Sequence, residues 1–264
     1  MNQENIIQEN FKMEKVKQNE PVIEITNLMK SFNGIEVLKD TSLKLYEGEN
    51  LVVLGKSGTG KSVLIKCIIG LLQPDKGSIK VFGNDVGRMN KRDFNLLRQK
   101  IGFLFQSGAL YDSMTIKENL EFPLLRIKKD IKKSEVEERI KSVLDSIGLP
   151  DVLNKMPSEL SGGMRKRVSL ARTIIVDPEI LLYDEPTTGL DPVTSDEISE
   201  LINEVQTKYH TSSIIITHDL RCALKTGNRM LMLDEGIVRN EGSLKEFQNS
   251  DDPLIRSFFK ENIN

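Results

Sequence analysis

The chain has 264 residues, enough for one large domain or two small ones with a self-sufficient core. Its net charge of -2, with 29% charged residues, gives no argument for non-specific binding to nucleic acid. No apolar run reaches the roughly 18 residues that span a bilayer, and the N-terminus lacks a signal-peptide core, so the expectation is a cytosolic chain that needs a partner for any membrane role.

Residues 1 to 19 are rich in Asn, Gln, Glu and Lys and read as a loosely ordered tail. Order is expected from Pro21. "VIEI" alternates as a strand does, Asn33 and Gly34 signal a hairpin turn, and "EVLKD" is the return strand. "LVVLG", 51 to 55, is a continuous apolar run, as in a strand buried on both faces. Ser62 to Ile69 reads as a buried helix closed by Gly70, and "SIKVFG" and "IGFLFQ" as strands. Ser134 to Ile147 should be a helix with Val136, Ile140, Val143, Leu144 and Ile147 on one face, a Ser134–Glu137 capping box and Gly148 at its end. A further helix is expected from Met164 to about Val176, with Met164, Val168, Ala171 and Ile175 inward. "ILLYDE" is a buried strand, Asp191 and Pro192 open another helix as N-cap and N1, and "SIIIT" and "MLMLDEG" are strands. This alternation favours a largely parallel sheet with helices on both faces. The stretch from about 107 to 176 shows helices and no convincing strand, so it reads as a helical insert. Cys67 and Cys222 read as buried small hydrophobes rather than a disulfide or a metal pair.

Four features carry chemistry. "GKSGTGKS", Gly55, Lys56, Ser57, Gly58, Thr59, Gly60, Lys61 and Ser62, follows a strand and opens a helix, which is the required context of a P-loop. Its backbone N–H groups converge on phosphate, Lys61 is expected to reach the β- and γ-phosphates, and Ser62 to ligate Mg²⁺. Asp184 and Glu185 end a buried strand, where doubly wound sheets bind ligands; Asp184 suits Mg²⁺ and Glu185 an attacking water. The second carboxylate points to turnover rather than binding alone. His218 comes directly after another strand, where it can contact the γ-phosphate and help place the water, while His210 sits in a polar turn and reads as solvated. "ELSGGMRKR", 159 to 167, is a second glycine-rich helix start with no evident use for the same nucleotide.

These parts in this order resemble the ATP-binding-cassette ATPases over about Val22 to Gly242. The resemblance implies an α/β P-loop NTPase of ABC type: a mostly parallel core sheet, an N-terminal antiparallel β subdomain and an inserted helical subdomain. The corresponding division is a flexible polar tail over 1–20 and one ATPase domain over 21–264, with the helical part at about 107–176. It further implies that Phe32 stacks on adenine, where tyrosine is commoner, and that Gln106 touches Mg²⁺ and links the site to a membrane partner. Leu160, Ser161, Gly162 and Gly163 match the family signature, with Met164 where glutamine is commoner; Gly189, Leu190 and Asp191 match the D-loop and His218 the switch histidine. In this family the signature caps the γ-phosphate held by a second subunit's P-loop, so the expected partner is a second copy, joined head to tail around two ATP molecules.

A narrower likeness lies in "FQSGALYDSMTIKENLEFPL", 105 to 124, with "LSGGMRKR" and the ending "DDPLIRSFF". It is similar to the Mla-type ATPases of bacterial phospholipid transport, which work with an integral-membrane permease and an MCE-domain lipid-binding protein. That implies a peripheral subunit on the cytoplasmic face of the inner membrane, with ATP and Mg²⁺ as cofactors and no nucleic-acid partner. Leu110, Tyr111 and Met114 are candidate anchors for the permease. "KKDIKK", 128 to 133, reads as a solvated charged loop, with contact to anionic lipid headgroups as the alternative, and Leu254, Ile255, Phe258 and Phe259 form an amphipathic turn or two that packs on this chain, a second copy or a regulatory partner. The alternatives are a transporter ATPase for another small solute, a soluble cassette acting on ribosomes or DNA, and a nucleotide-gated binding module with little turnover. One P-loop and the absence of sustained heptads weigh against the second, and Glu185 against the third.

Overall fold

The computed structural model describes residues 20–263. The tail expected over residues 1–20 lies outside the described residues except for Glu20. Strands β1 (Ile23–Phe32) and β2 (Ile35–Leu45) form a hairpin whose turn residues, Asn33 and Gly34, both take positive φ (51° and 81°). This is the backbone that an Asn-Gly pair adopts at least cost. With β4 (Lys76–Val81) and the short β5 (Asn84–Asp85) they make an antiparallel sheet in the order β2-β1-β4-β5.

The second sheet runs β10-β9-β3-β8-β7-β6. Its strands are β3 (Asn50–Leu54), β6 (Ile101–Leu104), β7 (Ile180–Asp184), β8 (Ser212–Thr217), β9 (Arg229–Asp234) and β10 (Ile237–Ser243). All neighbouring pairs are parallel except β9–β10. Strands β3, β7 and β8 are buried at every position, because both faces of the sheet are covered. The two-residue period divides their side chains. Val52, Leu54, Leu181, Tyr183 and Ile215 enter one core with the inserted helices; Leu51, Val53, Ile180, Leu182, Ile214 and Ile216 enter the other, against the antiparallel sheet. Strand β10 was not legible in the sequence. It is a half-exposed, polar edge strand joined to β9 by Glu235 and Gly236, both at positive φ (47° and 78°). The Gly236 carbonyl accepts from Lys39 N–H (2.8 Å) and Thr41 Oγ1 (2.9 Å), which fastens the two sheets together.

The helices are α1 (Lys61–Ile68), α2 (Lys91–Arg98), α3 (Ile116–Ile127), α4 (Lys133–Ser146), α5 (Gly162–Ile174), α6 (Pro192–Tyr209), α7 (Leu220–Thr226), α8 (Leu244–Gln248) and α9 (Pro253–Ile263). Between β6 and β7 the regular elements are all helical. The α4 face expected from the sequence is buried, from Val136 to Ile147, but its capping box does not form. Lys132 holds the extended N-cap conformation (φ -72°, ψ 147°), so Ser134 already lies inside the helix and its hydroxyl has no free first-turn N–H to accept. The capping box of the insert sits instead at α3, where Thr115 Oγ1 accepts Glu118 N–H and the Glu118 carboxylate accepts Thr115 N–H (2.7 Å). The C-terminal turns pack on this chain: Ile255 and Phe258 are buried in the core on the helical side. Cys67 and Cys222 are free and buried.

Candidate nucleotide site

Sheet order explains how four separated segments meet. β3, β8, β7 and β6 are consecutive parallel neighbours, so their carboxyl ends lie side by side. β3 runs into the glycine loop, β8 into His218, β7 ends at Asp184 and Glu185, and β6 ends two residues before Gln106. Ligands of open α/β sheets bind at this edge. A cleft of about 330 Å³ opens there, lined by Ser57, Gly58, Gly60, Ser62, Val63 and Lys61 of the loop and first helix together with Gln106, Glu185, Thr188 and His218.

The loop itself is built for an anion. Gly60 stands at the N-cap of α1 with φ 101° and supplies no side-chain cap, so the first N–H groups of the helix are left to a ligand. A side chain at Gly60 would also collide with Val37 O, 2.9 Å from its Cβ position. Lys61 is 5% exposed; its ammonium donates to Gly55 O (2.6 Å) and Lys56 O (3.0 Å) and lies 3.6 Å from Glu185 Oε1. Burial pushes the Lys61 pKa down, and Glu185 works against that. Ser62 Oγ donates to Asp184 at 3.0 Å. Burial raises the Asp184 pKa, the Ser62 hydrogen bond lowers it, and the neighbouring Glu185 charge raises it again. A hydroxyl and a buried carboxylate held this close are hard oxygen donors that lack a full counter-charge, which fits Mg²⁺.

Glu185 is 8% exposed and has φ 50°, a left-handed backbone that costs a residue with a side chain on the order of 1 kcal/mol or more. Several contacts hold it there. Its N–H donates to Ile216 O (2.9 Å), and its Oε2 accepts from Thr188 Oγ1 (3.1 Å) and His218 N–H (3.3 Å). The same oxygen lies 2.8 Å from His218 Nδ1. The carboxylate is thus aimed into the cleft by Thr188 and His218, and the backbone is held by Ile216.

Other expected residues lie elsewhere. Phe32 is 40% exposed at the end of β1 with the Lys30 ammonium 5.4 Å from its ring centroid, and Val37 of the return strand lines the cleft wall. Ser161, Gly162 and Gly163 do not line this cleft. Ser161 is the exposed N-cap of α5, accepting Met164 N–H at 3.2 Å; Asp191 caps α6, accepting from Val193 and Thr194 N–H (both 3.1 Å). Sequence reasoning missed Val37, Thr188 and above all Lys166. That lysine falls off the apolar stripe of α5 yet is 6% exposed, its ammonium donating to Gln106 O at 2.6 Å. Burial pushes its pKa down to about 8 against the pull of Asp184 and Glu185.

A second hollow, about 530 Å³, opens beyond Gln106 and is lined by Phe103, Phe105, Tyr111, Phe122, Arg126 and Arg172 among others. Tyr111 is 44% exposed and meets the Phe122 ring edge-on at 5.3 Å. Buried Asn119 fixes this turn: its side chain accepts from Tyr111 N–H (2.8 Å) and donates to Tyr111 O and Met114 O (both 3.1 Å). Leu110 is half-buried and packs in part against the core.

The family model described as ABC transporter matches residues 38–188, more than half of the chain. The chain belongs to the ABC transporter family. The cassette is 39% identical to the probable ribonucleotide transport ATP-binding protein mkl of Mycobacterium leprae, over 89% of this chain and 68% of that protein. It is also 39% identical to the chloroplastic protein trigalactosyldiacylglycerol 3 of Arabidopsis thaliana, over 90% of this chain and 73% of that one. The dimeric post-hydrolysis structure of the ATP-binding cassette MJ0796 with ADP and Pi matches with a TM-score of 0.77 at 30% identity, covering 84% of this chain and 98% of that one. The cassette cbiO1 of Clostridium perfringens, part of the transporter complex cbiONQ, matches at 0.79 and 26% identity, covering 92% and 99%. The cassette is therefore an ATP-hydrolysing, ATP-binding subunit of an ABC transporter, of a family whose cassettes dimerise and pair with membrane permeases. Among the described residues no helix is long and apolar enough to cross a membrane.

Proposed function

We propose that the cassette powers phospholipid transport between bacterial membranes, docked on a permease at the cytoplasmic face of the inner membrane and working with an MCE-domain lipid-binding protein. The observation that carries this reading is the segment 105–124. Its resemblance to the Mla-type ATPases coincides with an exposed aromatic patch, Tyr111 and Phe122, beside Gln106. An apolar hollow rimmed by arginines suits a short helix of a membrane partner, with the aromatics as anchors. The Arabidopsis relative, named after a galactolipid, supports a lipid cargo. The name of the mycobacterial relative favours a second reading, a transporter for a small solute such as a ribonucleotide.

In the hydrolytic step we assign the roles as follows. Gly55, Lys56, Ser57, Gly58, Thr59 and Gly60 surround the phosphates with N–H groups, Lys61 leaves its loop carbonyls for the β- and γ-phosphates, and Phe32 stacks on adenine. Ser62, Asp184 and Gln106 hold Mg²⁺, which when bound neutralises phosphate charge. Glu185 orients the water whose oxygen bonds the γ-phosphorus as the bond to the ADP oxygen breaks, and the water's proton passes to that carboxylate and on to solvent. His218 holds Glu185 in line. Ser161, Gly162 and Gly163 of a second copy close over the γ-phosphate, with Gly189, Leu190 and Asp191 at the same interface. ATP thereby joins two copies and its hydrolysis releases them.

The cargo is tested by purifying the complex in mild detergent, trapped with ATP in the Glu185→Gln variant, and analysing bound small molecules. Phospholipid enriched over the bulk membrane composition is expected. ATPase activity stimulated by a ribonucleotide, with no enriched lipid, would replace this reading with the second.

A further inference from the structure

Helix α5 starts at the signature, yet its buried face reaches this chain's own hydrolytic centre. Lys166 lies five residues into that stretch from Ser161 and is 6% exposed. Its ammonium donates to Gln106 O at 2.6 Å and to Glu185 O at 3.5 Å. These carbonyls sit just past the ends of β6 and β7, which are neighbours in the sheet. Further along the helix, Arg172 donates to Ala109 O (2.6 Å) and Gly108 O (3.4 Å). Between them Ser169 packs so closely that a side chain at Gly108 would sit 2.4 Å from its Oγ. One helix thus grips residues 106–109 at three points.

A lysine is a costly choice for this place. Burying a cation carries a desolvation penalty that an apolar side chain of similar length avoids. What the ammonium supplies is several donors on one atom, which tie two backbone carbonyls from two different strand ends to a single point. The carbonyl it reaches on Glu185 belongs to the residue held in a left-handed backbone, where an extra tether helps to fix the peptide.

We propose that Lys166 is a positioning residue for ATP hydrolysis: it ties Gln106 and Glu185 to the signature helix, so that seating of that helix on the partner's nucleotide sets this chain's own hydrolytic groups. It links the half-site a chain lends with the half-site it keeps. The proposal rests on the roles given above to Gln106 and Glu185, and does not depend on the cargo.

The test uses the purified full chain carrying Lys166→Met, Lys166→Gln or Lys166→Arg, with Glu185→Gln as reference. Lys166→Met should lower kcat roughly ten- to a hundredfold, as a small misplacement of reacting groups does. The KM for ATP and the stoichiometry of binding of a fluorescent ATP analogue should stay within about twofold of the parent. Amide hydrogen exchange should speed up at residues 105–109 but not in the core helix α6. Lys166→Arg should recover most of kcat, and Lys166→Gln, shorter by one bond, should fall between. Unchanged kcat in Lys166→Met overturns the proposal, as does unaltered exchange at 105–109. A loss of binding stoichiometry in step with kcat also overturns it, since that marks a folding role. If Lys166→Met is insoluble, the same readings on Lys166→Gln decide. Should Glu185→Gln keep full turnover, the role of Glu185 fails by itself, while the exchange at 105–109 still reports on the Lys166 tether.

Discussion

Helices α1 and α5 both begin at glycine-bearing loops, but the two starts differ in how their first N–H groups are satisfied. Gly60 offers no side-chain cap, so the N-terminal N–H groups of α1 are turned into a cleft whose walls, Glu185, Gln106 and His218, come from the same chain. Ser161 caps α5 with its own hydroxyl oxygen and stands exposed. Its O–H remains free to donate, and the helix dipole adds partial positive charge outward. The first start has its cleft within one chain; the second, on the reading proposed above, would be a lid without a cleft, and two copies arranged head to tail would satisfy both.

The largest effect that would break this picture falls on the cleft. Glu185→Gln should lower turnover about a hundredfold or more while nucleotide binding persists, since the amide keeps the shape but cannot take a proton. Measured on purified protein, turnover within a few-fold of the parent would remove Glu185 from its role. The variant should also accumulate as an ATP-bound dimer on size exclusion, because closure no longer ends in hydrolysis.

The lid is tested by complementation. Gly162 is the right target: a Cβ there meets nothing nearer than Leu190 at 3.6 Å, so Gly162→Asp fits the fold. A carboxylate in the first turn even favours the helix, but it repels a facing γ-phosphate. Lys61→Ala disables the cleft. Each variant alone should show under a tenth of parental activity by this reasoning, roughly a loss of 1.4 kcal/mol or more in transition-state stabilisation. Mixed, they should regain a substantial part, because one of the two composite sites then pairs an intact P-loop with an intact signature. If the mixture stays as inactive as its components, the two starts do not act across chains.

The two starts also differed in how far they could be read from sequence. The P-loop is contiguous, so its eight residues and flanking strand and helix declared it, and Asp184 and Glu185 were marked by the buried strand before them. Capping by Asp191 and the hairpin at Asn33 were equally local. What failed was whatever depended on a distant segment. Lys166 drew no notice because its burial comes from the ends of β6 and β7. Thr188 gains meaning only when Glu185 folds back on it at 3.1 Å, and Val37 only when β2 crosses the loop. Ser134 misled in the other direction: the S-x-x-E pattern was present, but the chain entered the helix at Lys132. The fold of the insert was legible as helical, and its attachment to the sheet was not.

The bracing among the inserted helices supplies the smallest effect and a way to sharpen the comparison, since it bears on the support of α5 and not on the cleft. Asp177 follows α5 and accepts from Lys128 Nζ (2.9 Å) and Arg139 Nη2 (2.6 Å), while Arg139 Nη1 donates to Ile175 O (3.0 Å). One carboxylate so joins the ends of α3 and α5 to α4. Burial pulls its pKa up, but the hydrogen bonds from Arg139 and Lys128 outweigh that and hold it below the usual carboxylate range. Asp177→Asn keeps the size and tolerates the positive φ of 58° at this position, removing only the charge. Because the site is half exposed, screening limits the loss to about 1 kcal/mol, or roughly 2–4 °C in Tm. A group whose folded pKa is depressed stabilises above its unfolded value near 4 and stops doing so as pH falls through the folded one. The Tm gap between parent and variant should accordingly be full at neutral pH and close as acid is added below about pH 4. It should narrow with salt as well. A gap that persists unchanged in acid would mean that the Asp177 amide disturbs packing, and that charge is not what fastens the insert.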